Sequence, residues 1–313
     1  MIFITGGTGF IGKALVRHLV EAGYPVRLLI RPSTASPDLP RGLPVEVAVS
    51  SFSDVRGLRA AMVGVDTVFH LAGGEWQGTG ANLMETDIRG AQVVAGVAAE
   101  TGVRRLFYIS HLGADRASAF AVFKAKAISE EHIRASGVPY TILRSAIVYG
   151  PGDGFTTGLL RLMRANPFFF LIPDDGRTKL QPLWIEDLVT CMVWAMEDEQ
   201  TINQTYSIGG PEFLTFQQIV ELVMKKTGLQ RRLINLSSPY LRGITVFLDY
   251  LLPRLPISTY WLDYLAANRT CSLDTIPRVF RLIPARFAGH IDYLQSQDMR
   301  SNIPQLSRRG MKR

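Results

Sequence analysis

The first twelve residues constrain this chain more than any others. An apolar run, Met1 to Ile4, breaks into Thr5-Gly6-Gly7-Thr8-Gly9-Phe10-Ile11-Gly12. Apolar residues then recur at helical spacing, with Ile11, Ala14, Leu15, Leu19 and Ala22 on one face and Lys13, Arg17 and Glu21 on the other. The order reads as strand, tight glycine turn and helix. Gly7, Gly9 and Gly12 keep the G-x-G-x-x-G spacing, in which one glycine makes the turn, one lets backbone approach a pyrophosphate, and one lets the helix pack on the strand. The stretch from Gly6 through Thr8, Phe10 and Ile11 to Gly12 would therefore cradle a nucleotide diphosphate on the N–H groups at the helix start.

The first helix runs from about Phe10 to Ala22 and stops at Gly23, with His18 at the edge of its apolar face as a packed structural histidine. Val26 to Ile30 reads as a second strand that ends at Arg31. An acidic residue roughly 20 positions beyond the turn would bind the ribose 2′-hydroxyl of NAD. Arg31 stands there instead, and a guanidinium pairs with a 2′-phosphate, so the expected cofactor is NADP(H), with Ser33 and Thr34 as further hydroxyl donors.

Strands and helices then alternate. Val45 to Val49 is a third strand, Asp54 caps a helix to about Met62, and Asp66 to Ala72 is a fourth strand running into Gly73-Gly74. Glycines at a strand's carboxyl end let backbone pass close to a ligand, which places Leu71, Ala72 and Gly73 beside the cofactor and leaves His70 as a structural residue of the strand. A helix from about Asn82 to Thr101, a strand Leu106 to Ser110, a helix of roughly Ala117 to Ser136 and a strand Tyr140 to Tyr149 follow. The pattern predicts an α/β fold: a Rossmann-type doubly wound parallel sheet over residues 1–153. Residues 154–313 are expected to form mainly a smaller substrate or lid region, with elements such as 181–210 returning to the Rossmann domain.

A hydrophobic content of 47% against 19% charged residues excludes a disordered chain. Part of the net charge of +7 lies in Arg308, Arg309, Lys312 and Arg313; a phosphate-rich ligand accounts for the rest, and no nucleic-acid motif is present. Cys191 and Cys271 have no metal-ligand or C-x-x-C spacing, which predicts free thiols in a reducing compartment. No apolar run reaches the ~18 residues of a membrane span. With the first strand at residue 1 and no signal peptide before it, a cytoplasmic protein is expected.

TGGTGFIG at Thr5 to Gly12, HLAG at His70 to Gly73, LFYIS at Leu106 to Ser110, ILRSAIVYGPGD at Ile142 to Asp153, QPLWIEDL at Gln181 to Leu188 and SIGGPE at Ser207 to Glu212 occur in that order. Together they resemble the short-chain dehydrogenase/reductase superfamily in its extended and atypical, epimerase/dehydratase-like branches. Within it the chain looks most like the group similar to the nucleotide-binding accessory subunit of respiratory complex I. The resemblance covers roughly Met1 to Thr227.

It implies a tyrosine proton donor and, four residues later, a lysine that holds the nicotinamide ribose on the same helix face. Here the helix reads Phe120-Ala121-Val122-Phe123-Lys124-Ala125-Lys126. Lys126 aligns with the family lysine, with Lys124 as competitor, but the residues four before them are Val122 and Phe120, and neither has a proton to give. The serine that positions a substrate carbonyl falls near Ser110, where His111 is an alternative donor, and the acidic residue that contacts adenine is replaced near Ser50-Ser51. A reductase of a conjugated hydrophobic substrate such as a quinone, enone or tetrapyrrole asks least of a tyrosine. A non-catalytic NADP(H)-binding structural or sensing subunit, associated with a respiratory complex or peripherally with a membrane, is the competing expectation. A sugar-nucleotide epimerase or dehydratase stands third, because it depends on the missing tyrosine.

In the second half, Phe168-Phe169-Phe170 reads as a buried strand or a pocket lining, and Trp184 takes a place often held by histidine in relatives. Glu186-Asp187 opens a helix with Val189, Met192, Val193 and Met196 inward, and Thr215 with Gln218 forms a capping box for a helix ending near Gly228. Tyr240 to Pro256 and Tyr260 to Ala267 are rich in Leu, Phe and Tyr. Each would pack on the main domain, bind a hydrophobic substrate, or face a partner or membrane.

Overall fold

The computed structural model describes residues 1–33, 42–74, 82–251 and 259–296. The chain opens with β1 (Ile2–Thr5), α1 (Phe10–Glu21), β2 (Val26–Ile30), β3 (Glu46–Val49), α2 (Val55–Ala61) and β4 (Thr67–His70). A π-helical turn, Met84–Arg89, leads into α3 (Gly90–Glu100), followed by β5 (Arg105–His111), α4 (Ala121–Ala135), β6 (Tyr140–Ser145) and β7 (Val148–Tyr149). Then come α5 (Thr156–Ala165), β8 (Phe169–Pro173), β9 (Lys179–Leu180), β10 (Leu183–Trp184), α6 (Ile185–Glu197), β11 (Gln204–Ile208), β12 (Leu214–Thr215) and α7 (Phe216–Thr227). The described chain closes with β13 (Arg232–Leu236), α8 (Ser238–Leu251), α9 (Thr259–Leu265) and α10 (Tyr293–Ser296).

The central sheet is the doubly wound Rossmann sheet that the alternation predicts. Seven strands lie in the order β11-β6-β5-β4-β1-β2-β3, all parallel. The order reverses between β1 and β4, so the crevice at their carboxyl ends is where such a sheet takes its ligand. Helices cover both faces. Leu15, Leu19, Leu188 and Met192 of α1 and α6 bury one side, and Leu58, Val94, Ala98 and Ile133 of α2, α3 and α4 bury the other. β11 pairs with β6 over Gln204 to Ile208, which brings chain from beyond α6 back into the main sheet.

Three element boundaries differ from those expected. Tyr140 to Tyr149 is two strands, because after Ser145 the backbone leaves its β5 and β11 neighbours and Val148–Tyr149 pairs with Leu183–Trp184. Arg144 and Ser145 interrupt the apolar run there, but strand-forming residues resume at once, so the sequence reads on as one strand. The helix expected from Ala117 starts at Ala121, since Asp115 Oδ1 accepts from the Ala117 N–H and Ser118 Oγ from the Phe120 N–H, holding the preceding residues in turns. The helix expected from Asn82 opens as the wider π turn, which carries Asp87 into the interior.

A second core forms between α5, α7 and α9, where Leu159, Met163, Ile219, Val223, Tyr264 and Leu265 meet. The Thr215–Gln218 capping box forms in both directions, and α7 ends at Gly228 in the left-handed conformation. On α6, Val189 and Met192 are buried with Leu188 and Cys191, while Val193 and Met196 lie at the margin. His18 on α1 sits 3.1 Å from the Glu186 carboxylate, which also accepts from Arg17. Both cysteines are free, and burial pushes the thiol of Cys271 up to about 11 and that of Cys191 higher still. Among the described residues no helix is long and apolar enough to cross a membrane.

Candidate functional site

The turn after β1 is closed by the Gly9 N–H on the Gly6 carbonyl at 3.0 Å, and α1 begins with the Lys13 N–H on the Gly9 carbonyl at 2.9 Å. Gly6 has φ of +75°, and a Cβ there would lie 2.7 Å from the Ala72 nitrogen and 2.8 Å from the Leu71 carbonyl carbon. The turn therefore touches the backbone leaving β4, an approach that the Leu71 N–H to Thr5 carbonyl bond holds at 3.1 Å. A Cβ on Gly12 would meet the Gly6 carbonyl oxygen and stand 2.7 Å from the Gly7 Cα. Gly9, Phe10, Ile11 and Gly12 open α1 with no side-chain cap and no acidic residue in its first turn. Uncapped N–H groups at the positive end of a helix, over a turn where no side chain fits, suit an anionic diphosphate.

Arg31 is exposed immediately after β2, and Ser33 is exposed close by; Thr34 lies outside the described residues. At the carboxyl end of β3, Ser50 is buried and its hydroxyl turns toward Asp54, 3.3 Å from Oδ2, while Asp54 Oδ1 accepts the Gly57 N–H to cap α2. His70 is fully buried, with Thr5 Oγ1 2.7 Å from its Nδ1, the Tyr108 ring stacked 5.7 Å away and Phe52 edge-on. Burial, with a smaller contribution from the Lys126 ammonium, lowers its pKa to about 3, so the imidazole is neutral. This is the structural histidine expected from its place within the strand.

Lys126 is almost wholly buried on α4, its Nζ 3.0 Å from Asp87 Oδ1 and above the Tyr108 ring. The other carboxylate oxygen of Asp87 accepts the Gly74 N–H at 2.9 Å. A chain of contacts thus runs from α4 through Asp87 to the backbone that follows Gly73. Val122, one turn before Lys126, is buried in the second core with Tyr149 and Tyr260, and Phe120 packs against the same cluster. The place of the family tyrosine is therefore apolar. Ser110 is wholly buried beside Glu130. Burial raises the pKa of that carboxyl, but the Arg144 and Arg134 guanidinium groups that donate to it outweigh burial and hold the group below its usual range. His111, half-buried at the end of β5, faces Tyr260 of α9 at 6.2 Å, with Tyr264 of α9 and Phe123 of α4 both at 6.5 Å.

Two members of this neighbourhood have no local signature in the sequence. Asp87 sits in a stretch that reads as an ordinary polar helix. Arg269 is buried, its guanidinium 3.9 Å over the Phe123 ring, against Gly113 and within reach of the Tyr264 carbonyl. The HLAG and LFYIS strand ends point to the crevice, but nothing local marks Asp87 or Arg269 as belonging beside it.

Residues 6–166 match the family described as NAD(P)H-binding. The chain belongs to that family, within the atypical and extended short-chain dehydrogenase/reductases. A mitochondrial NADH dehydrogenase [ubiquinone] 1 alpha subcomplex subunit 9 from Arabidopsis thaliana is 28% identical over 262 residues, covering 81% of this chain and 64% of that protein. The match thus spans less than two thirds of that relative's length. A ceramide reductase from Caulobacter vibrioides is 27% identical over 305 residues, covering 97% of this chain and 89% of the relative. Among solved structures, an NADPH-dependent quinone oxidoreductase from Escherichia coli complexed with NADPH superposes with a TM-score of 0.71 at 18% identity, covering 94% of this chain and 99% of that one. At that identity the likeness speaks for the fold of this family member, and the residues above speak for its site.

Proposed function

We propose that this family member is an NADP(H)-dependent reductase of a hydrophobic, conjugated substrate of the quinone, enone or tetrapyrrole kind. The observation that carries the cofactor half is the uncapped start of α1 over the glycine turn, with exposed Arg31 just after β2 where NAD-binding relatives of the fold place an acid. The N–H groups of Gly7 to Gly12 would hold the pyrophosphate, Arg31 and Ser33 the 2′-phosphate, and Leu71 to Gly73 would wall the adenosine side. Lys126 would orient the nicotinamide ribose from beside Asp87. The bound nicotinamide supplies the hydride; the protein supplies orientation and a dry crevice. With Val122 where a tyrosine would stand, the proton falls to His111 or to water. That arrangement suits a conjugated acceptor, whose electron pair spreads over the substrate, better than an isolated carbonyl.

Calorimetric titration with NADPH and NADH tests the first half. Wild type is expected to prefer NADPH, and Arg31→Asp to weaken NADPH far more than NADH. Equal loss of both would remove Arg31 as the phosphate reader. Oxidation of NADPH with a panel of quinones, enones and tetrapyrroles tests the second half, and turnover of none would overturn it.

Val122 and the buried Lys126–Asp87 pair also favour a second reading, an NADP(H)-binding subunit that turns nothing over and stabilises a larger assembly. The relative named as a subunit of NADH dehydrogenase supports it. Tight NADPH binding, no turnover and co-purification with a membrane complex would select this reading; multiple turnover by the isolated chain would reject it.

A further inference from the structure

Behind the lid lies a cavity of about 340 Å³ that uses no residue of the nucleotide turn, the β4 and β5 ends or Lys126. Its walls are single apolar faces of successive elements. Leu159 and Leu162 of α5, Phe169 and Phe170 of β8, Leu241 and Ile244 of α8, and Leu262 and Leu265 of α9 all turn into it. Among the described residues no charged side chain lines it. Asn166, one of its few polar members, already uses Oδ1 to accept the Phe168 and Phe169 N–H groups. Protein cores hold few voids larger than a water molecule, because each forfeits contacts and stability. An apolar cleft of this size, open at one side, is at the scale of small-molecule pockets, roughly 300–1,000 Å³.

The cavity has a mouth and an inner end. Ile244 and Phe169 line it and are also 40% and 37% exposed. Outside them Tyr240 and Phe247 continue the Ile244 stripe along α8 at one-turn spacing, and both are well exposed, as is Phe168. At the inner end, Phe155 and Trp261 form the wall. Trp261 packs 5.3 Å from Tyr260, whose ring is 6.2 Å from His111 at the carboxyl end of β5. One layer of aromatic rings on α9 therefore separates the cavity from the crevice where the nicotinamide would lie.

We propose that this cavity is a binding site for a single hydrocarbon chain, the acyl or isoprenoid tail of an amphiphile. The tail lies between Phe169 and Ile244 at the mouth and Phe155 and Trp261 at the inner end. The inference rests on the hydrophobic-substrate reading only for that tail's belonging to the reacting molecule; the chain site itself is tested without turnover.

The test is calorimetric titration of the whole chain with normal alkanols from octanol to dodecanol, with and without saturating NADPH. Affinity is expected to rise about fourfold per added methylene, the factor for burying ~0.8 kcal/mol of CH₂, with a negative heat-capacity change. Leu262→Trp and Leu159→Phe fill the cavity from two different walls. Each is expected to lower dodecanol affinity at least tenfold while NADPH affinity stays within twofold, and the NADPH result shows that the variant is folded. Absence of alkanol binding, affinity that ignores chain length, or unchanged dodecanol binding in both folded variants would overturn the proposal. Chain-dependent binding without NADPH oxidation by any amphiphilic quinone, enone or tetrapyrrole would leave the chain site standing and remove the reductase reading.

Discussion

Replacing Lys126 with Met would take the ammonium from a carboxylate that has no exposed surface. The Asp87 side chain would keep the Gly74 N–H on Oδ2 and lose the cation facing Oδ1. Breaking a buried pair from one side typically costs about 3–5 kcal/mol, because a desolvated charge is left behind. Adding Asp87→Asn removes that charge while its amide oxygen still accepts from Gly74, so only about 1–2 kcal/mol of lost hydrogen bonding should remain. The double variant is therefore expected to be more stable than Lys126→Met alone, by about 2 kcal/mol, a large coupling for two neighbouring residues. Urea unfolding at pH 7, with slopes checked for two-state behaviour, measures it. A loss below about 1 kcal/mol in Lys126→Met, or additive losses in the double variant, would refute the reading of a buried pair that ties α4 to the backbone after Gly73.

His70 makes stability depend on pH. Its pKa is about 3 in the folded protein against 6.5 ordinarily. The unfolded chain therefore binds the proton first, and stability falls as pH drops below 6.5 toward 3. Between pH 7 and pH 5 wild type should lose about 2 kcal/mol more than His70→Gln, since each tenfold difference in proton affinity is worth ~1.4 kcal/mol; parallel stability curves for the two would show that the imidazole is not held neutral. Gly12→Ala places a methyl against the Gly6 carbonyl and the Gly7 Cα, which should cost about 1–3 kcal/mol and weaken NADPH at least tenfold by titration. In Gly96→Ala, a helical site with open space around its Cβ, stability should hold or rise by up to ~1 kcal/mol. Equal effects at the two glycines would argue against a special role for the turn.

The parts of this protein legible in its sequence are those encoded over short spans. The glycine turn, the apolar faces of α1 and α6, the Thr215–Gln218 cap and the alternation that gives a parallel sheet all follow from spacing within a turn or two of chain, where backbone geometry repeats. Arg31 is legible for the same reason, since it follows a strand whose position the turn dictates. His70 could be assigned to the interior because a strand buried on both faces leaves its side chains nowhere else to go. Tertiary structure alone decided where the Tyr140–Tyr149 run changes partners, that Asp87 faces Lys126, that Arg269 lies on Phe123, and that separate elements of the second core border an apolar cleft. Each of these joins residues that are distant in the chain, and their contacts arise only when packed elements meet. Charge and shape complementarity across such meetings leave no periodic trace in the sequence.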